Sequence, residues 1–551
     1  MAAEESKQAQ QSPVNRGNGR LTRRDFLGRA AVLGLSASAF SAFLVACGGD
    51  NATISVATST PAGSTAPSAR PSTSAAPSGA SAAPSTSAAP SGSTAPAASR
   101  TVGASIAPAA STTPVGTATR ASGTATAGTS GTPAAGGGTY TREAPPAVAN
   151  ATQAKQFASQ KVTYVGGQVG TDADFDQILT RKFTQDTGIQ VNLVPGPPDA
   201  TERYAQYQRT FQGQSADIDV MMVDVIWPAA FAQFLTDLNP KLGDLAKQNV
   251  EGIIQNNTVD GKLVGMPWFG DFGILYYRTD LLQKYSIAAP PKTWQELQQQ
   301  AQKIADGERG SNPNFAGFAF QGNAYEGLTC NALEWLSSNG AGQIVENGKV
   351  TINNPTAVTV LNLLKGFVGT VSPRSVTTYK EDETAQAFTN GNVAFARNWP
   401  YMYTLANAAT SAVKGKFDVA ALPAAQGQKP TGTLGGWQLG VSRFSKAQDA
   451  AVEFVRYMCG PEVVAWRGVV GSYVPLQPGV SSNPAVQQAQ PYLKNLADVV
   501  RVTRPSNGLG ENYNQGSTII FQAINQVLNG GDAQQQLQTA QTQLERLVRR
   551  S

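Results

Sequence analysis

Between about Gly48 and Asn150 the chain is built almost entirely from Ala, Ser, Thr, Pro and Gly, and this run decides what the rest can fold into. Pro71-Ser-Thr-Ser-Ala-Ala-Pro-Ser-Gly79 recurs unchanged as Pro84 to Gly92. A segment with so few large apolar side chains cannot bury enough surface to offset the entropy of ordering it. Residues 47–150 therefore read as a disordered tether headed by Cys47, with an r.m.s. reach of roughly 50–60 Å, and only residues 151–551 are left to fold.

Ahead of the tether, Thr22-Arg23-Arg24-Asp25-Phe26-Leu27 precedes a mildly apolar stretch that ends Leu44-Val45-Ala46-Cys47. Adjacent arginines before such a stretch match a twin-arginine export signal. The Leu-Val-Ala-Cys ending resembles a bacterial lipobox. Residues 1–46 are accordingly read as a cleaved signal peptide and Cys47 as the lipidated residue. The alternative, a membrane span, is disfavoured because Gly34, Ser36, Ser38 and Ser41 interrupt a run that would need about 20 apolar residues.

The charge balance argues against some partners. The formal net charge is +5, but residues 1–46 hold six basic and three acidic side chains, so three of those five charges belong to the signal. The remaining balance gives no reason to expect nucleic acid or an anionic surface as partner. There is no histidine, which excludes His-dependent triads and His-ligated metals, and three cysteines are too few for a Cys-rich zinc site. No metal and no cofactor are expected. Export of a folded protein implies folding in a reducing compartment, so Cys330 and Cys459 are expected as buried free thiols.

Past residue 150 the pattern alternates. Val162 to Val165 reads as a strand, and Phe175, Ile178, Leu179 and Phe183 follow at helical spacing with Gly188 as the stop. Ile189 to Val194 reads as a strand, Tyr204, Tyr207 and Phe211 mark a helix, and Ile218 to Asp224 is a buried strand. That order predicts a mostly parallel sheet with crossover helices, in which ligands bind beyond the carboxyl ends of the strands. Asp224 ends such a strand. It stands equally as a ligand contact or as the cap of a helix over Trp227–Leu235. Thr293-Trp294-Gln295-Glu296 is a capping box, and amphipathic helices are expected near Ala447–Met458, Ser517–Leu528 and Ala533–Val548. About 390 residues of this kind exceed one ordinary core, which predicts two α/β lobes.

Gly435-Gly436-Trp437 places two residues without Cβ against a flat indole, just before Leu439 and Val441 begin to alternate as a strand. Alone, this reads more readily as a bulged core strand than as a ligand wall. Trp399 has a comparable alternative as packing at a helix start, and Tyr325-Glu326 as the first turn of a helix. Trp227, Trp294 and Trp335 are assigned to packing. Trp268 is left unassigned.

Five stretches in order resemble one family. They are Asp219 to Pro228, Pro267-Trp268-Phe269-Gly270-Asp271 running into Leu275 to Leu282, Gln321 to Leu328, Asn398-Trp399-Pro400-Tyr401, and Gly435-Gly436-Trp437. Together they resemble the extracellular sugar-binding proteins of ABC importers, family 1, in the trehalose/maltose-binding branch. The resemblance implies an α/β, two-lobed, periplasmic-binding-protein-like fold, its lobes joined by a multi-strand hinge around a ligand cleft. It implies an oligosaccharide ligand, a membrane permease as partner, and no catalysis. It also implies that Trp399 and Trp437 flank the sugar, with Gly435 and Gly436 beside them. Asp224, Asp271 and Phe269 would complete the wall, with Arg203 and Arg504 as charged contacts, Tyr325 and Glu326 nearby, and Gln168 where some relatives carry Glu. A monomer held at the membrane by its lipid is the expected form. Two other readings stand beside it: a tethered carbohydrate-binding adhesin, and a glycosidase with Asp271 and Glu326 as its carboxylate pair.

Overall fold

The computed structural model describes residues 140–548; Arg23, Arg24, Cys47 and the run up to residue 139 lie outside the described residues. Strand β1 (Lys161–Gly166) is followed by helix α1 (Asp172–Thr187), strand β2 (Gln190–Pro195), helix α2 (Ala200–Gln212) and strand β3 (Val220–Asp224). Local signals set the helix ends. Asp172 and Asp174 occupy the first turn of α1, where they favour the dipole, and Gly188 closes it at φ 79°. The Asp199 carboxylate caps α2 by accepting from the backbone N–H of Thr201 at 2.7 Å and of Glu202 at 3.1 Å. Parallel pairing of β1 with both β2 and β3 brings the carboxyl ends of the three strands to one side.

Strand β4 (Met266–Phe272) runs through Gly273 straight into β5 (Ile274–Arg278). After α3 (Trp294–Glu308), opened by the Thr293 capping box, come β6 (Ala316–Ala319), α4 (Glu326–Ser338), α5 (Pro355–Phe367) and α6 (Glu381–Thr389). Strands β7 (Val393–Asn398), β8 (Phe417–Ala420) and β9 (Thr431–Val441) follow, then α7 (Gln448–Met458), α8 (Pro461–Gly471), β10 (Val500–Val502), α9 (Tyr513–Leu528) and α10 (Ala533–Val548). The first sheet runs β10-β9-β3-β1-β2 with β4 also on β9; the second runs β8-β5-β7-β6. Each sheet centres one lobe. The pairings β1–β2, β1–β3 and β9–β10 are parallel, as expected, while β9 runs antiparallel to β3 and β4 and makes the first sheet mixed.

Strand β3 shows why both sheet faces are covered. All five of its residues are buried, with Val220 and Met222 entering one apolar cluster and Met221 and Val223 the other. Each such side chain contributes about 1.5–3 kcal/mol on full burial. Both clusters also draw on the second sheet, through Leu275 and Phe395 in one and Tyr276 and Ala396 in the other. Cys330 and Cys459 are buried and unpaired with each other.

Three details differ from the sequence reading. The helix expected over Trp227–Leu235 is a short turn, Pro228–Phe231, continued as a 3-10 turn at Ala232–Phe234. The strand around Gly435 begins at Thr431, well before Leu439, because its glycines lie in register against Gly270 and Asp271. Residues 140–150, grouped with the tether in the sequence reading, pack on the first lobe. Trp466 Nε1 donates to Thr141 O at 2.6 Å, Tyr457 Oη donates to Pro146 O at 2.9 Å, and Val148 N donates to Asp186 at 3.0 Å.

Candidate functional site

The carboxyl ends of β1 and β3 open into a cleft of about 760 Å³, its open mouth included. Its far wall is made by the N-terminal ends of α4 and α6 and by the chain after β7. All twelve residues singled out from the sequence line it: Gln168, Arg203, Asp224, Phe269, Asp271, Tyr325, Glu326, Trp399, Gly435, Gly436, Trp437 and Arg504.

Strand β9 supplies one wall through its register. Trp437 is paired with Asp224 of β3, and Gly435 with Asp271 of β4. The strand is bulged between Trp437 and Gln438, and Trp437 lines the cleft. Gly436 sits at φ 125°, and a Cβ there would lie 2.5 Å from the Phe269 carbonyl oxygen. The Trp437 ring is half-buried. It rests edge-on to Trp227, with centroids 5.6 Å apart at 86°. Trp399 faces the cleft too, its Nε1 donating to Glu381 Oε1 at 3.3 Å. A Cβ on Gly435 would approach the Trp399 ring to 3.3 Å, so the glycine lets the two walls close up.

Asp224 does not cap a helix. Both its oxygens accept from Arg504, Oδ2 at 3.1 Å from Nη1 and Oδ1 from Nη2. Arg504 Nη1 also donates to Glu326 Oε1 at 3.0 Å, and Tyr513 and Ser517 complete the Glu326 carboxylate. Arg504, Asp224 and Glu326 thus form one buried network joining the strand end to the first turn of α4. Glu326 is both helix start and cleft wall. Burial raises its pKa, against the pull of Arg504.

Arg203 is chiefly a brace. It donates from Nε (3.1 Å) and Nη2 (2.7 Å) to Pro197 O, and from Nη1 to Gly166 O (3.0 Å) and Tyr207 Oη (3.3 Å). Its guanidinium carbon lies 5.5 Å from the Trp437 ring centroid. Gln168 donates to the carbonyl of Gly167 at 2.7 Å. Buried polar atoms at the cleft without a hydrogen-bond partner include Asp271 Oδ1 and Arg504 Nε. Leaving such an atom unsatisfied costs about 1–3 kcal/mol, which a ligand hydroxyl could recover. Burial, and then the carboxylate of Asp172, push the Asp271 carboxyl well above the usual range.

Several wall residues were not identified from the sequence. Asp172, Glu381, Tyr401 and Tyr473 line the cleft. Asp172 accepts from Arg467 Nη2 at 2.7 Å, and burial raises the pKa of Glu381. Arg467 in turn lies 3.9 Å from the Trp268 ring and 4.1 Å from the Tyr473 ring, which gives Trp268 its place in a cage behind the site. Trp227, Trp294 and Trp335 are packed in the core as expected. Asp172 was visible in sequence only as an acid in a helix first turn, and Glu381 only as part of the charged run Lys380-Glu-Asp-Glu.

Two lobes, a cleft between them walled by indoles and buried carboxylates, and strands that pass directly from one sheet to the other define a hinge-type ligand-binding protein. A family model described as bacterial extracellular solute-binding protein matches residues 166–465. A probable ABC transporter-binding protein of Deinococcus radiodurans is 44% identical over 410 residues, covering 73% of this chain and 98% of that protein. The chain belongs to the bacterial extracellular solute-binding protein family. Among solved structures it is similar to maltose-bound T. maritima MalE3, at 34% identity and TM-score 0.66, covering 70% of this chain and 100% of that one. The GacH receptor of Streptomyces glaucescens shares the fold at 23% identity and TM-score 0.62, over 71% of this chain and 98% of that one. The family consists of solute-binding proteins, not enzymes, so the glycosidase reading of Asp271 and Glu326 is set aside. The bonding of Glu326 agrees, since both its oxygens already accept from neighbours.

Proposed function

We propose that the protein is the receptor of an ABC sugar importer, capturing a neutral oligosaccharide and presenting it to the membrane permease. The observation that carries this reading is the pairing of Trp399 and Trp437 in one cleft with unsatisfied buried polar atoms on Asp271 and Arg504. An indole face matches the C–H face of a sugar ring, and a desolvated hydroxyl needs a donor and acceptors around it. A disaccharide such as maltose or trehalose suits the confined space, and the likeness to maltose-bound MalE3 supports the same class. The ligand is released unchanged.

Delivery to a permease requires the receptor to stay at the outer membrane face. Twin-arginine export through Arg23 and Arg24, a lipid on Cys47 and a long tether supply that, with the body acting as a monomer. No helix among the described residues is long and apolar enough to cross a membrane. A Cys47→Ser chain should be exported yet lost from the membrane fraction.

The binding test is calorimetry and thermal shift with maltose, trehalose, sucrose and maltotriose. At least one should bind saturably, without turnover. At a hundredfold excess over Kd, stabilisation should reach about 2.7 kcal/mol. No heat and no shift across the panel would overturn the sugar assignment.

A further inference from the structure

Asp172, the first residue of α1, lines the cleft, as do Gly167, Gln168 and Val169 of the loop that leads to it from β1. One of its oxygens, Oδ1, accepts from Arg467 Nη2 at 2.7 Å. The other, Oδ2, lies over Gly167. A Cβ on Gly167 would come within 2.7 Å of that oxygen and 2.4 Å of the Asp172 Cβ, so glycine leaves the carboxylate its place. The Tyr473 hydroxyl stands beside it, 3.3 Å from Thr171 Oγ1, and burial and then the Asp172 carboxylate raise the pKa of that hydroxyl. Each carboxylate oxygen has two lone pairs, so these neighbours do not exhaust Asp172 as an acceptor.

Arg467, on α8, is bound to this acid and to little else. Its guanidinium carbon lies 3.9 Å from the centre of the Trp268 ring and 4.1 Å from that of Tyr473, and its side chain is 1% exposed. Close packing between two rings keeps it from swinging away. Its Nε and Nη1 have no hydrogen-bond partner, and Nη1 stands 3.6 Å from Asp176 Oδ1, so the hydrogen bond it does make goes to Asp172. Removing two charges from water offsets most of their attraction, which makes a buried pair a poor device for stability alone. Here the pair stands behind a cleft wall, where a carboxylate held in one orientation is a strong acceptor for a hydroxyl.

Taking the sugar assignment as its basis, we propose that Asp172 is a further ligand-contacting residue, its carboxylate accepting from one hydroxyl of the bound sugar, and that Arg467 is its positioning residue. Asp172 then selects for a hydroxyl at one place on the sugar ring.

Calorimetry on the full-length protein tests this with whichever of maltose, trehalose, sucrose and maltotriose binds most tightly, and with the monodeoxy derivatives of that sugar. Asp172→Asn keeps the shape of the side chain without its charge, and should weaken binding of the parent sugar about tenfold or more. For the one derivative that lacks the hydroxyl held by Asp172, wild type and Asp172→Asn should bind within about twofold of each other, while the other derivatives lose the full factor. Arg467→Met should show the same dependence on that one hydroxyl, and should add little to Asp172→Asn in the double variant. Thermal melts establish which variants keep the fold; should Arg467→Met not keep it, Asp172→Asn decides alone. Wild-type affinity in Asp172→Asn, or the same loss for every derivative, would overturn the role of Asp172 and leave the sugar assignment standing. Failure of the wild type to bind any of the four sugars would overturn both.

Discussion

The guanidinium carbon of Arg397 lies 3.9 Å from the centre of the Trp399 ring, while its Nε and Nη2 donate to the two oxygens of Glu334 at 2.8 and 2.5 Å. Both members of that ion pair are fully buried. Glu334 Oε1 also accepts from the backbone N–H of Thr433 in β9, at 3.1 Å. One buried pair thus supports the indole wall and touches a strand on its way between the lobes. Glu334→Ala leaves the Arg397 charge uncompensated, and breaking a buried pair from one side costs about 3–5 kcal/mol. Urea unfolding should show that loss; a change below about 1 kcal/mol would mean the pair adds little.

Gly273, where β4 passes into β5, is held to glycine by the same pair. A Cβ there would lie 1.9 Å from Glu334 Oε1 and 2.6 Å from Arg397 Nη2. Gly273→Ala should therefore lower the melting temperature sharply, by an amount that adds little to that of Glu334→Ala in the double variant. Full additivity of the two would show that the methyl group disturbs something else.

Trp437→Ala removes a wall of the cleft but little of the core, since the ring is half-buried and leans on Trp227 from one edge. Affinity for whichever sugar of the panel binds should fall more than tenfold while circular dichroism stays that of the wild type. Unchanged affinity would return Trp437 to packing alone.

Asp176 predicts how stability depends on pH. Burial, opposed by Arg467 and reinforced by Asp172, raises its pKa from 3.8 to about 7. In the folded chain it therefore keeps its proton where the unfolded chain has lost it. Its contribution is full below about pH 4 and declines as pH rises toward about 7. Asp176→Asn should flatten that part of the stability profile, measured by urea unfolding from pH 4.5 to 8. The carboxylate also accepts from Gly167 N at 2.8 Å, so the proton sits directly behind a cleft loop.

Much of this was legible because local signals and tertiary outcome agree. Gly188 ends α1, Thr293 opens α3, and Ala533–Val548 is a helix with the bounds its periodicity gives. The twelve wall residues were reached through the resemblance of five ordered stretches to one family; on residue types alone Gly435-Gly436-Trp437 reads as core. Glu381 and Asp172 escaped since a carboxylate in a helix first turn looks solvated until another lobe covers it. Strand β9 was read short because glycines weaken a strand locally, whereas here pairing with β3 and β4 supplies the order that Gly435 and Gly436 lack. Residues 140–150 share the tether's composition in part, yet Tyr140, Arg142 and Val148 find partners on helices distant in sequence.

Those partners have a mechanical meaning. Thr141, Arg142, Pro146, Val148 and Asn150 are fastened to Trp466, Asp174, Tyr457, Asp186 and Glu453, on helices α1, α7 and α8 of the first lobe. Tension arriving along the chain from before Tyr140 is shared among three helices of a single lobe before it meets any strand that crosses to the other. The load path bypasses Gly273, so if the proposed lipid anchor pulls on the chain, the two lobes are not pried apart.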